Sequence, residues 1–314
     1  MKRSEKLLMA FDCLKDQAVN VKSAVSTVRV IANKLGLSLR ALTVVSPEQL
    51  LWPHDFTSEW LDEFQEIGRE ALGNFLRRNK IRDNVPSKVL LQPLSSKREN
   101  VEALLKEAKN SKAAMVAVFT HTEKNKAWRL PGRFINSLVS YSSLPILTVN
   151  VTAPALTSLK VLLIATDFSS EGARTFLKGI ALAKQANAKI VLIHVWSMLA
   201  TETLGASAGL AGGWFRVQDY LQKEEADLHK QGKRWIAKAK SEGVTAEFLM
   251  VSNPTSPVGA ILRSATKHSA NLIVMTEKTG PWASFFLGSV TRGIIGESKL
   301  PVLVFPARSK KGRK

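Results

Sequence analysis

The chain has 314 residues, 45% hydrophobic and 23% charged, which suits two folded domains and excludes a disordered or collagen-like chain. One cysteine, Cys13, excludes an internal disulfide and a cysteine-based zinc cluster, and five histidines stand in no ligand spacing. No apolar run approaches the ~18 residues needed to cross a membrane, and Lys plus Arg exceed Asp plus Glu by 45 to 26, a net charge of +19 that can attract polyanions.

The excess charge is spread along the chain. Residues 1–150 carry 23 basic and 15 acidic groups, and residues 151–314 carry 22 and 11. Only the end is dense, with Arg308, Lys310, Lys311, Arg313 and Lys314 forming a basic tail over 308–314. The first residues show no secretory cleavage pattern, so the cytoplasm is the expected compartment.

In chain order, Lys6–Phe11 is a short apolar run ending at Asp12, the pattern of a buried parallel strand. Steps of three and four among Val21, Val25, Val28, Ala32 and Leu35 predict a helix over Asp16–Leu35. Alternation then predicts strand Leu39–Val45, helix Ser58–Arg78, strand Lys88–Gln92, helix Arg98–Lys109, strand Ala114–Thr120, helix Gly132–Tyr141 and strand Pro145–Val149. Ala153-Pro154-Ala155 supplies linker chemistry. Beyond it, strands are predicted near Val161–Ala165, Ile190–Val195, Thr245–Met250, Leu272–Met275 and Val302–Phe305. A helix follows the first of these, capped by Ser169 or Ser170. Ser197–Gly213 is rich in small residues and reads as a loop or lid over the strand ends. Gln222–Lys240 reads as a charged amphipathic helix with Leu228, Trp235 and Ile236 inward.

The two halves are a repeat. Asp12 to Asp167 is an offset of 155, and Thr120 to Thr276 is 156. Thr120 precedes Gly132 by 12 residues, as Thr276 precedes Gly288, and Pro145 and Pro301 follow those glycines by 13. The endings Leu144-Pro-Ile-Leu-Thr-Val and Leu300-Pro-Val-Leu-Val-Phe are alike. The expected architecture is α/β: two repeated doubly wound domains, each a five-stranded parallel sheet flanked by helices, over residues 1–152 and 158–307. Ligands of such folds gather at the carboxyl ends of the strands.

The second half resembles the universal stress protein domain along its length. The resemblance rests on Val161-Leu-Leu-Ile-Ala-Thr-Asp-Phe-Ser169, Ala188-Lys-Ile-Val-Leu-Ile-His-Val195, Asn253-Pro254, Asn271-Leu-Ile-Val-Met275 and Phe286-Leu-Gly-Ser-Val290. The first half looks like the same domain, more diverged, so the chain is similar to tandem members of that family. The resemblance implies an adenine nucleotide alpha hydrolase-like fold and ATP as the candidate ligand. Nucleotide-binding members carry a Gly-x-x-Gly-x9-Gly-Ser/Thr signature after the fourth strand, whose bare amides meet phosphate oxygens. Carried over, it implies a cofactor site of Thr166, Asp167, Val195, Thr276, Gly280, Gly288, Ser289 and Val290. Asp167 would contact the adenosine, Val195 would offer backbone groups to the base, and Gly288-Ser289-Val290 would open the phosphate-facing helix. The signature is damaged, because Thr276 and Thr279 stand where glycines belong and Gly280 is followed by Pro281. In the first half Asp12 remains, but no glycine precedes Gly132 and Arg133 replaces the serine or threonine, so the first domain is expected to be nucleotide-free. Lys124, Lys126, Arg129 and Arg133 read as a solvated loop.

No Gly-x-Ser-x-Gly elbow or Gly-x4-Gly-Lys-Ser/Thr loop is present, and no catalytic or metal-binding set stands out. Cys13 reads as a small packed residue. The expectation is a non-enzymatic stress-response protein that acts by binding, either an unidentified protein partner or ATP in the second domain alone. The rival readings are a slow ATP-hydrolysing switch and a polyanion-binding protein. Nucleic acid is the less favoured partner, since no RNA-binding or helix-turn-helix pattern occurs. The domains are expected to pair within the chain through their last strands, Leu144–Val149 near Leu300–Phe305, with homo-oligomerisation left open.

Overall fold

Short apolar runs bounded by polar and turn residues become strands, and the amphipathic stretches between them become helices that cover both faces of a sheet. The computed structural model describes residues 5–14, 19–46, 58–81, 85–92, 97–120, 133–196, 214–252, 254–277 and 288–307. The chain forms two compact units, Met1–Leu159 with Glu277–Lys314, and Lys160–Thr276.

The first unit begins with β1 (Lys6–Phe11), α1 (Lys22–Lys34), β2 (Ser38–Val45), α2 (Ser58–Arg78) and β3 (Ser87–Leu91). It continues with α3 (Lys97–Asn110), β4 (Ala113–Thr120), α4 (Arg133–Tyr141) and β5 (Ile146–Asn150). These strands lie in the order β3-β2-β1-β4-β5, all parallel. Leu7, Leu8 and Met9 of β1 are fully buried, as a central strand covered on both faces requires. Phe11 stacks on Phe119 with ring centroids 4.9 Å apart and tilts against Phe75 at 5.1 Å. Cys13 is fully buried and donates Sγ–H to Thr43 Oγ1 at 3.3 Å.

The helix expected from Asp16 starts at Lys22. Its entry is set from a distance: the Val21 amide donates to Asn79 Oδ1 at 2.9 Å, and the Lys22 amide donates to Asn20 Oδ1 at 3.1 Å. Those side chains satisfy first-turn donors and stop the helix from extending backward.

Two later elements complete this unit, α8 (Ser289–Glu297) and β10 (Val302–Phe305). β10 pairs antiparallel with β5, placing Val302 opposite Thr148, Leu303 opposite Leu147 and Val304 opposite Ile146. The pairing of last strands expected from the repeat is therefore present. Buried Asn150 supports it by donating Nδ2–H to the Ser298 carbonyl at 3.3 Å, while its Oδ1 accepts from Thr152. The turns leading into β5 and β10 are built alike. Ser142 Oγ donates to the Leu144 carbonyl (2.7 Å) and accepts the Leu144 amide (3.0 Å); Ser298 does the same with Leu300 (2.8 and 3.0 Å).

The second unit contains β6 (Val161–Ala165), α5 (Ser170–Ala186), β7 (Lys189–Trp196), α6 (Trp214–Ser241), β8 (Ala246–Ser252), α7 (Pro257–Lys267) and β9 (Leu272–Thr276). Its strands run β9-β6-β7-β8, all parallel. α5 is capped by Ser169, whose Oγ accepts the Gly172 amide, and ends at Asn187 in the left-handed conformation (φ 54°). α7 combines a Ser256 cap with Pro257 in its first turn. α6 begins at Trp214, ahead of the expected Gln222, and its residue Ile236 is buried while Lys233, Arg234, Lys238 and Lys240 are exposed. Ser197–Gly213, the basic tail 308–314 and the loop carrying Lys124, Lys126 and Arg129 lie outside the described residues, as does the side chain of Arg133.

Candidate functional site

The carboxyl ends of β6 and β7 carry most of the expected site. β6 stops at Ala165, and the next residues fold into interlocked turns. The Thr166 amide still pairs with the Ile193 carbonyl at 3.0 Å. Thr166 Oγ1 then accepts the Phe168 amide, Asp167 Oδ1 accepts the Ser169 amide, and Ser169 Oγ accepts the Gly172 amide, each at 3.0 Å. Each short polar side chain thus satisfies a backbone donor two or three residues on. Asp167 is exposed at the amino end of α5, where the helix dipole favours a carboxylate. Its Oδ1 is engaged in the turn, and a carboxylate retains further acceptor capacity for hydroxyl or amino donors.

Gly172 is needed for this geometry. A Cβ there would lie 2.9 Å from Thr166 Oγ1 and 3.0 Å from Asp167 Oδ1. Phe168 sits at φ 57°, which swings its ring inward. The ring meets His194 at 4.8 Å, Trp235 edge-on at 5.0 Å and Phe248 at 5.9 Å. Sequence reading singled out Trp235 only as a core residue, and nothing local connects these four positions.

His194 is buried and its Nδ1 lies 2.8 Å from the Thr166 carbonyl. A carbonyl only accepts, so Nδ1 carries the proton and Nε2 is the acceptor in the neutral ring. Burial lowers the His194 pKa, opposed by the Thr166 carbonyl and by the charges of Asp167 and Glu224. The ladder alternates past this point. Lys189 N and Ile193 O bond toward β6, whereas Ile190 N bonds to Thr245 O on the β8 side. By that alternation the peptide groups of Val195 face the β6 side, beyond the end of β6.

Thr276 closes β9 in the same unit. Its Oγ1 donates to Thr175 Oγ1 of α5 at 2.8 Å, so the hydroxyl is engaged inside the fold. Gly288, Ser289 and Val290 belong to the first unit. Gly288 is the N-cap of α8, with φ −55° and no side-chain cap, and Arg292 N closes the turn on its carbonyl at 2.9 Å. The first amides of α8 are helix-terminal donors without intrahelical acceptors. Ser289 is exposed and Val290 half-buried. Gly280, Thr279 and Pro281 lie outside the described residues. The structure therefore brings together Thr166, Asp167, Val195 and Thr276 in one unit and places Gly288–Val290 in the other. Asp12, the counterpart of Asp167, is half-buried.

One buried carboxyl escaped sequence reading. Glu277, directly after Thr276, is 6% exposed. Its amide donates to the Phe305 carbonyl at 2.9 Å, and its carboxyl is hydrogen-bonded to Ser140 and to the Ala307 backbone. Burial pushes its pKa up to about 8, with both hydrogen bonds opposing. Among the described residues, no His, Cys, Asp and Glu cluster could hold a metal ion, and no helix is long and apolar enough to cross a membrane.

Comparison with known proteins bears on the same residues. The model of the universal stress protein family matches residues 158–306. Universal stress protein YxiE of Bacillus subtilis is 25% identical over 148 residues, which cover 46% of this chain and 96% of that protein. The crystal structure of a universal stress protein from Archaeoglobus fulgidus superposes with a TM-score of 0.66 at 16% identity, covering 98% of each chain. A functionally unknown protein from Pseudomonas aeruginosa superposes with a TM-score of 0.59 at 14% identity, covering 97% of this chain and 93% of that one. At these identities the two structures establish the α/β fold over both halves.

Proposed function

The chain belongs, through residues 158–306, to the universal stress protein family, and from this premise we propose that it acts in the stress response by binding rather than by catalysis. The proposed ligand is an adenine nucleotide at the carboxyl end of β6 and β7, held mainly through its nucleoside. The observation that supports this best is the outward-facing backbone of Val195 beside the exposed Asp167 carboxylate. Paired backbone donor and acceptor groups suit the edge of an adenine base, and a carboxylate suits ribose hydroxyls. The phosphate end is the weakened one: Thr276 replaces a glycine and its hydroxyl is engaged by Thr175.

Calorimetric titration of the full chain with adenosine, AMP and ATP tests the reading. The expected result is saturable binding of all three, with ATP gaining no more than about tenfold over adenosine, equivalent to one charge-assisted contact, and no phosphate release. Absence of adenosine binding, or ATP binding with hydrolysis, would refute it.

A further inference from the structure

The first unit holds a second concavity at the amino-terminal edge of its sheet. Lys6 opens β1 and stands in register with Ser38, which opens β2; Leu8 is in register with Arg40. Partners across a parallel ladder and residues two apart share a face, so Lys6 and Arg40 project from the same side. α1 contributes Arg29 and Asn33, one turn apart on one stripe of the helix. Leu39 and Pro86 supply apolar wall. The cavity measures about 620 Å³, within the range of small-molecule sites.

Its charge is one-sided. Three cationic side chains line it, Lys6, Arg29 and Arg40, and no carboxylate does. Neither Lys6 nor Arg29 forms an ion pair among the described residues. Arg40 is only loosely matched. Its Nη1 lies 3.9 Å from Glu107, whereas Lys88 Nζ holds that carboxylate at 2.8 Å. Arg40 Nε is buried with no hydrogen-bond partner. A buried guanidinium donor without an acceptor is rare in a native fold and calls for an acceptor from outside the chain. Clustered cations, a spare guanidinium donor and an apolar backing together describe a receptor for a compact anion.

We propose that this cavity binds a small phosphorylated molecule through Lys6, Arg29 and Arg40. The site is independent of the nucleotide reading: it uses residues of the first unit alone and none of the Asp167 turn. Concavity and size favour a small ligand over a polymer, which would need an extended basic track.

Pyrophosphate is the probe, titrated calorimetrically into the full chain at physiological ionic strength. Wild type should show saturable one-to-one binding. Arg29→Gln, on a half-buried helix position with no described ion pair, should weaken it by about tenfold or more, as loss of one charge-assisted contact would. Lys6→Gln should act in the same direction. Asp167→Ala and Lys184→Gln should leave pyrophosphate binding unchanged, and a preserved thermal midpoint confirms that the variants are folded. The proposal is overturned if wild type shows no saturable binding. It is equally overturned if Lys184→Gln weakens binding as much as Arg29→Gln, which would mean diffuse surface charge. Loss of pyrophosphate binding in Asp167→Ala would move the anion to the nucleotide site and overturn it too.

Discussion

Glu277→Gln isolates the energetic cost of one buried carboxyl. In the folded chain Glu277 is 6% exposed and holds its proton up to about pH 8, against 4.5 for an ordinary glutamate. A raised carboxyl pKa means that the folded state binds the proton more tightly. The resulting stabilisation is complete below 4.5, falls as pH rises through this window and is gone above about 8. The gap corresponds to at most about 5 kcal/mol, and relaxation with water penetration reduces it to about 2–3 kcal/mol. Glutamine is isosteric, stays neutral and keeps an oxygen to accept from Ser140. Urea denaturation should find the two proteins within about 0.5 kcal/mol of each other near pH 5 and the variant about 2–3 kcal/mol more stable near pH 9. A difference that is the same at both values, or a wild type that gains on the variant as pH rises, would refute the argument.

Further expectations concern the second unit and α8. Gly288→Val should reduce ATP affinity to the level of adenosine while sparing adenosine, since a β-branched side chain would crowd the first amides of α8; its φ of −55° is open to valine, so the thermal midpoint should hold. Asp167→Ala should weaken adenosine and ATP alike by up to about tenfold, read by the same titrations. Gly172→Ala drives a methyl group against Thr166 Oγ1 and Asp167 Oδ1 at about 3 Å and should cost about 1–3 kcal/mol in urea denaturation while also lowering adenosine affinity. His194, whose pKa is lowered by burial, contributes stability that is present above pH 6.5 and is lost as pH falls through its folded value. His194→Gln should flatten this acid limb, measured as the thermal midpoint across mildly acidic pH.

The strands were legible because each is a short apolar run with a polar stop, and offsets of 155 and 156 located their second copies. Contacts distant in sequence were not legible. The start of α1 depends on Asn79, 58 residues away from the Val21 amide it accepts. The direction of β10 beside β5 has no local signature, although the shared Leu-Pro endings mark both strands. Within the candidate site, Asp167 and Val195 could be placed by motif. The role of Thr276 could not, because its hydroxyl partner, Thr175, lies 101 residues away on α5. The cationic cavity was hidden for the same reason: Lys6, Arg29, Arg40 and Pro86 form no motif until α1 and the strands β1 to β3 are assembled.

The pairing of β5 with β10 has a temporal side. Thr148 and Val302 are 154 residues apart, and the whole second unit is encoded between them. During synthesis from the amino end, Lys160–Thr276 is a contiguous stretch that can collapse as soon as it emerges. The first unit cannot: β5 stays an unpaired edge, with Asn150 lacking the Ser298 carbonyl, until β10 leaves the ribosome. Completion of the first sheet is thereby tied to completion of the chain, and a polypeptide released early carries an adhesive edge that quality control can recognise. Premature termination within the last strand should consequently yield an aggregating product rather than a slightly shortened working one.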